Sequence, residues 1–105
     1  MNENNNTVVS SITVDDVAGY LRIIELSNFD QTFIGQILEA AKAYVMKYTG
    51  LDAEGMDQCA DIVIAIYVLC QDMYDNRTLY VDSSNISSVV ETILGMHSIN
   101  LLPSE

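Results

Sequence analysis

Apolar residues recur at helical spacing in three stretches of this chain and fill a fourth on every side. In the first stretch Val17, Leu21 and Ile24, with Tyr20 beside them, form one stripe. In the second, Phe33, Ile34, Ile37, Leu38, Ala41, Tyr44, Val45 and Tyr48 recur at spacings of three and four, with Gln36, Glu39, Lys42 and Lys47 among the intervening positions. That is a two-sided helix with a broad buried face. The third stretch, Ile62 to Cys70, is unbroken apolar sequence. The fourth carries Ile86, Val89, Val90, Ile93 and Leu94 on one stripe.

Capping residues set the expected boundaries. Thr13 can cap a helix from Val14 to Ile23 or Ile24, with Asp15 and Asp16 where the helix dipole favours negative charge. Asp30 is the expected cap of the second helix, and Gly50 supplies a left-handed stop after Tyr48 and Thr49. The third helix is expected to start between Glu54 and Asp57 and to run to about Tyr74. A β-strand competes there, because Ile and Val are β-branched. However, the apolar character extends from Ala60 to Met73 and no turn residue bounds it before Asn76, which is too long for a typical strand. A helix apolar all round must be covered all round, so this one is expected at the centre, with part of its surface against another subunit. Asn76 to Ser84 reads as a loop, leaving open a short extended segment or hairpin at Leu79-Tyr80-Val81. Ser83, Ser84 or Asn85 is expected to cap the last helix. The predicted fold is all-α: a small bundle of about four helices around a central apolar one. The division expected is a disordered leader over 1–11, a helical domain over 12–98 and a tail over 99–105.

Charge and chemistry narrow the function classes. Fifteen acidic residues against four basic ones give a formal net charge of −11. Affinity for nucleic-acid phosphates comes largely from Lys and Arg displacing counterions, so this balance disfavours DNA binding. It equally disfavours adhesion to an anionic membrane, and the longest apolar run is far short of the ~20 residues of a membrane-spanning helix. The start of the chain shows no secretory signal. Cys59 and Cys70, placed on one helix, would share a face but lie too far apart for a disulfide. They read as small core side chains of a reducing compartment. A lone histidine, His97, suits the end of the last helix, where the dipole favours a cation. Asp52, Glu54 and Asp57 lack the alternation and the distal Glu of a calcium loop. No Gly-rich phosphate loop occurs. No catalytic, cofactor or metal residues are expected, and an enzyme is not.

Four local patterns, in order, resemble the head–tail connector (DNA-packaging adaptor) family of tailed bacteriophages and prophages. The first runs from Thr13-Val14-Asp15-Asp16-Val17 through Tyr20-Leu21-Arg22-Ile23. The second is Glu39-Ala40-Ala41-Lys42-Ala43-Tyr44, leading to Tyr48-Thr49-Gly50-Leu51. The third is the apolar helix from Ala60 to Leu69, and the last is Tyr74-Asp75-Asn76-Arg77. Together they span Ile12 to Arg77. Beyond Arg77, where family members often carry a Pro before the last helix, this chain has Asp82-Ser83-Ser84-Asn85.

The resemblance implies a structural protein that forms a homo-oligomeric ring under the portal protein, extends the DNA channel and docks a neck or tail completion protein. It implies a place at the head–tail junction of the virion, and in the bacterial host cytoplasm during assembly. DNA would pass through without sequence-specific binding. Negative charge suits such a channel, since like charges repel. Tyr74, Arg77, Tyr80, Leu101 and Leu102 are the candidate interface residues. Tyrosine is enriched at interfaces, Arg77 is placed to cap a helix end or pair with an acid, and the two leucines lie on a tail too short to bury them alone. The alternative from another class is a small acidic regulatory or inhibitor protein that neutralises a basic protein partner.

Overall fold

The computed structural model describes residues 8–99. Within them the fold is all-α, with no strand. A 3-10 turn at Val9–Ser11 leads into α1 (Val14–Leu21), α2 (Asn28–Thr49), α3 (Ala53–Asp57), α4 (Ile62–Asn76), a second 3-10 turn at Ser83–Asn85, and α5 (Ser88–His97).

Local chemistry accounts for most of these boundaries. Thr13 caps α1 as expected: its hydroxyl accepts from the Asp16 N–H while the Asp16 carboxylate accepts from the Thr13 N–H. Gly50 ends α2 at φ 80°, the left-handed region that glycine enters without steric cost. Other boundaries differ from expectation. α2 starts earlier, because the Ser27 hydroxyl, not Asp30, accepts the first-turn N–H; Asp30 is the donor of that bond and lies in the first turn. α1 stops at Leu21, where Arg22 takes a left-handed cap conformation and the Ile23 N–H returns to the Ala18 carbonyl. α5 is capped by Ser87, while Asp82, Ser83, Ser84 and Asn85 form the separate 3-10 turn before it.

The main correction concerns the third predicted helix. It is two helices: the short α3, capped by Asp52, and α4, separated by the turn at 58–61. Cys59 therefore sits in that turn and does not share a helix with Cys70; both are free thiols.

α4 is the central helix, packed against α1, α2, α5 and the N-terminal 3-10 turn. Ile62, Ala65, Ile66, Leu69, Cys70 and Met73 on α4 meet Ile34, Ile37, Ala41 and Val45 of α2 and Val90 and Leu94 of α5 in one core. Its cover is not complete. Ile64 is 53% exposed, and Tyr67 is half-buried beneath Tyr20 of α1, the rings stacked at 5.0 Å.

Both ends of the described chain are anchored. Val9, expected in the leader, is buried at 1% exposure, and Ser10 is tied to Asp57 of α3. At the other end the Ile99 N–H donates to the Thr49 carbonyl and His97 Nε2 lies 2.7 Å from Asp61 Oδ1. Thr49 is the one buried polar residue described. Its hydroxyl donates to the Val45 carbonyl and accepts from the Leu51 N–H, so its burial leaves no group unsatisfied.

Candidate interaction surface

One end of the bundle gathers the start of α2, the end of α4 and the loops that follow α1 and α4. Arg77 organises it. Its backbone closes α4 at φ 54°, with its N–H on the Tyr74 carbonyl and the Thr78 N–H on that of Met73. The sequence left Arg77 a cap of the helix carbonyls, a partner of an acid, or an interface contact. The backbone closes the helix, and among the described residues the side chain meets neither a carbonyl nor an acid. The side chain turns to an aromatic face instead: its guanidinium carbon stands 4.4 Å from the Tyr74 ring centroid and 6.0 Å from that of Phe33.

The aromatic row continues outward. Phe33 is tilted against Tyr74 at 5.9 Å and stacked with Phe29 at 5.7 Å. The Tyr74 hydroxyl reaches Asp30 Oδ1 at 3.4 Å, a long hydrogen bond that joins α4 to the first turn of α2. Phe29, at the outer end of the row, is 67% exposed. Beyond Arg77, Leu79 and Tyr80 are also exposed, with Tyr80 at 66%. Ile24, in the α1–α2 loop, stands 95% in solvent.

Of the expected interface residues, Tyr74 and Arg77 are therefore in contact, and Tyr80 follows them in the chain without joining their stack. Leu101 and Leu102 lie outside the described residues. Phe29 was not among the candidates. With Asp30 taken as the cap, Phe29 falls before the helix. Taken with Ser27 as the cap, it stands one turn before Phe33, and that i, i+4 spacing was the available signal.

A groove of about 460 Å³ opens between α4 and the loop that follows it. Leu69, Met73, Val81 and Ile86 contribute its apolar lining, and Asp72 and Asp82 carry its charge. The Asp82 carboxylate caps the 3-10 turn: it accepts from the Asn85 amide, the Ser84 hydroxyl and the Ser84 N–H, which together hold its pKa below the ordinary aspartate value. Asp72 is shifted the other way. Partial burial, and then the like charges of Asp75 and Asp82, raise its pKa.

The remaining reactive groups are dispersed. Burial pushes the Cys70 thiol up to about 12, and burial followed by the nearby Asp61 raises Cys59. Both thiols therefore stay protonated at neutral pH. Among the described residues no group of three or more His, Cys, Asp or Glu side chains is arranged to hold a metal ion, and no helix is long and apolar enough to cross a membrane. The chemistry this end of the bundle supports is recognition by aromatic, aliphatic and charged contact. No family model, curated protein or solved structure matches the chain.

Proposed function

We propose that this chain is the subunit of a phage or prophage head–tail connector, a ring seated under the portal that extends the DNA channel and docks the neck or tail. The observation that carries the reading is where the last of the four connector-like patterns falls. Tyr74-Asp75-Asn76-Arg77 closes the central helix and builds the aromatic–arginine end of the bundle, flanked by the exposed Phe29, Leu79 and Tyr80. Tyr and Arg are the residue types that anchor protein interfaces, and the exposed Phe29, Leu79 and Tyr80 beside them suit a subunit covered by its neighbours. The function in this reading is mechanical, with no bond made or broken. Its partners are further copies of itself, the portal protein and a neck or tail completion protein. A net charge of −11 favours DNA moving past the ring, because fifteen acidic residues outweigh the four basic ones that could hold phosphates.

Native mass measured on the chain alone, and then mixed with the portal protein of the same genome, tests the reading. A discrete complex with the portal's own symmetry is expected. Two folded components that do not associate at high concentration overturn it, and direct the search to a basic protein partner neutralised by this acidic one.

A further inference from the structure

Both arginines of the chain take left-handed backbone conformations, Arg22 at φ 65° and Arg77 at φ 54°, and they are the only non-glycine residues described that do so. Each ends a helix at a position that glycine fills with less strain. A left-handed residue with a Cβ is strained where glycine is not. For Arg77 the return is visible inside the subunit, where its guanidinium lies over Tyr74. For Arg22 it is not. Its side chain is exposed and takes no ion pair among the described residues, and next to it, after Ile23, stands Ile24 at 95% exposure. The same molecule carries a surface of matching chemistry. The groove along α4 has an apolar lining and two carboxylates; the Asn76 amide donates to the Asp72 backbone carbonyl, and the Asp72 carboxylate accepts no hydrogen bond among the described residues while feeling the like charges of Asp75 and Asp82.

We propose that copies of this chain associate head to tail, with the Arg22–Ile24 knob of one seated in the Asp72–Asp82 groove of the next. The guanidinium answers the two carboxylates, and Ile24 covers the half-buried Val81 and Ile86 side of the groove. Arg22 is the cation suited to this. Arg77 is committed to the Tyr74 ring, and Lys42 and Lys47 lie on α2, away from the exposed end.

Position on α4 sets the symmetry. At ~100° per residue, Leu69, Asp72, Met73 and Asn76 fall on the face opposite Tyr67, and it is Tyr67 that carries Tyr20 and the α1 end with Arg22. Knob and groove therefore lie on opposite sides of one end of the bundle. Such a contact cannot be self-complementary; it repeats around a ring when the rotation closes. The proposal rests on the connector reading for that closure, not for the contact.

Disulfide trapping tests the contact without the portal. Ile24→Cys and Val81→Cys, introduced together on a Cys59→Ala background and oxidised at high concentration, should give a covalent ladder that extends well beyond dimer. Adding Arg22→Glu should reduce the ladder by about tenfold, as loss of a close interfacial charge pair does. Adding Asp72→Lys to that chain should restore it. Products that stop at dimer, or a ladder indifferent to Arg22→Glu, overturn the proposal. Restoration by the reciprocal charge excludes misfolding as the cause of any loss. A ladder from a chain that never binds portal protein would sink the connector reading and leave this contact standing; a portal complex from a chain that gives no ladder would do the reverse.

Discussion

The Asp57 carboxylate accepts both the backbone N–H and the hydroxyl of Ser10, at 2.9 and 2.6 Å. Forty-seven residues separate the two. The bond pair fixes the Val9–Ser11 turn on α3 and so keeps Val9 in the core. Those hydrogen bonds from Ser10 hold the Asp57 pKa below the ordinary aspartate value. A carboxyl with a lowered folded pKa contributes stability that is present above its unfolded pKa, about pH 4, and is lost as pH falls through the folded value. Acidification below pH 4 should therefore release the turn before the bundle unfolds, and Asp57→Ala should release it at neutral pH. Hydrogen exchange at the Ser11 and Ile12 amides, which bond to Val8 and Val9, reads both. Protection in Asp57→Ala equal to that of the parent chain would show that the bond pair does not hold the turn.

Asp72 carries the opposite sign. Its raised pKa, from burial and then from Asp75 and Asp82, means that ionisation costs stability as pH rises from about 4 through the folded value. Asp72→Asn should stabilise the isolated chain at pH 7 and flatten the fall in stability over that window, while weakening any contact that uses the groove. Urea unfolding from pH 4 to 7 checks the first part. A variant less stable than its parent at pH 7 would contradict the like-charge account.

The two left-handed arginines should part company on substitution. Arg22→Gly removes a strained Cβ and no contact within the subunit, so it should stabilise the monomer by about 0.5–1 kcal/mol. Arg77→Gly gains the same relief and loses the guanidinium from the Tyr74 face, worth about 0.5–1 kcal/mol at an exposed site, so it should be close to neutral. Arg77→Ala loses the contact and keeps the strain, and should be the least stable of the three. Chemical denaturation of the set gives the order directly. Arg22→Gly falling below Arg77→Ala would mean that Arg22 has a partner inside the fold.

The thiols should be distinguishable by reaction rate. Cys59 lies half-buried in the 58–61 turn, and Cys70 is buried in α4 with its pKa at about 12. A thiol reagent at pH 8 should modify Cys59 first and Cys70 only as fast as the bundle opens, since the thiolate is the reactive form. Equal rates for the two would show that α4 is not closed over Cys70.

Much of the architecture was legible because local rules and tertiary packing agree. α2 carries most of its apolar residues on one face, with Phe29, Met46 and Tyr48 exposed, and ends at the one glycine described with positive φ, and α1 starts at its capping box. The break between α3 and α4 was not legible. No Pro or Gly stands in 58–61, and the apolar run that follows draws the turn into one helical pattern. What holds it is distant in sequence: Asp57 is bound to Ser10, and Asp61 to His97. The interaction surface was half legible for the same kind of reason. Tyr74 and Arg77 stand at a helix end that the pattern marks, whereas the exposure of Phe29 and the groove beside Asp72 arise only when α2, α4 and the following loop are packed together.

Ile64 and Ile66 put the all-round apolar helix to a direct test. They are two residues apart on α4, chemically identical, and indistinguishable by composition or propensity. Ile66 is 0% exposed and Ile64 53%. Truncating Ile66 removes buried methyl groups and leaves a cavity, so Ile66→Ala should cost about 2–5 kcal/mol. Ile64→Ala should cost about 0.5 kcal/mol in the monomer, because more than half of that residue stays in water on folding and its loss leaves no enclosed cavity. Its β-branched side chain is also slightly poorer than Ala in a helix, which offsets part of the lost contact. Equal losses in urea unfolding of the isolated monomer would mean that α4 is enclosed on every side, as its composition suggests. Unequal losses that become equal in an assembled form would place Ile64 beneath a neighbouring subunit, and would explain an outward-facing isoleucine on a helix whose other apolar residues all face inward or lie half-buried.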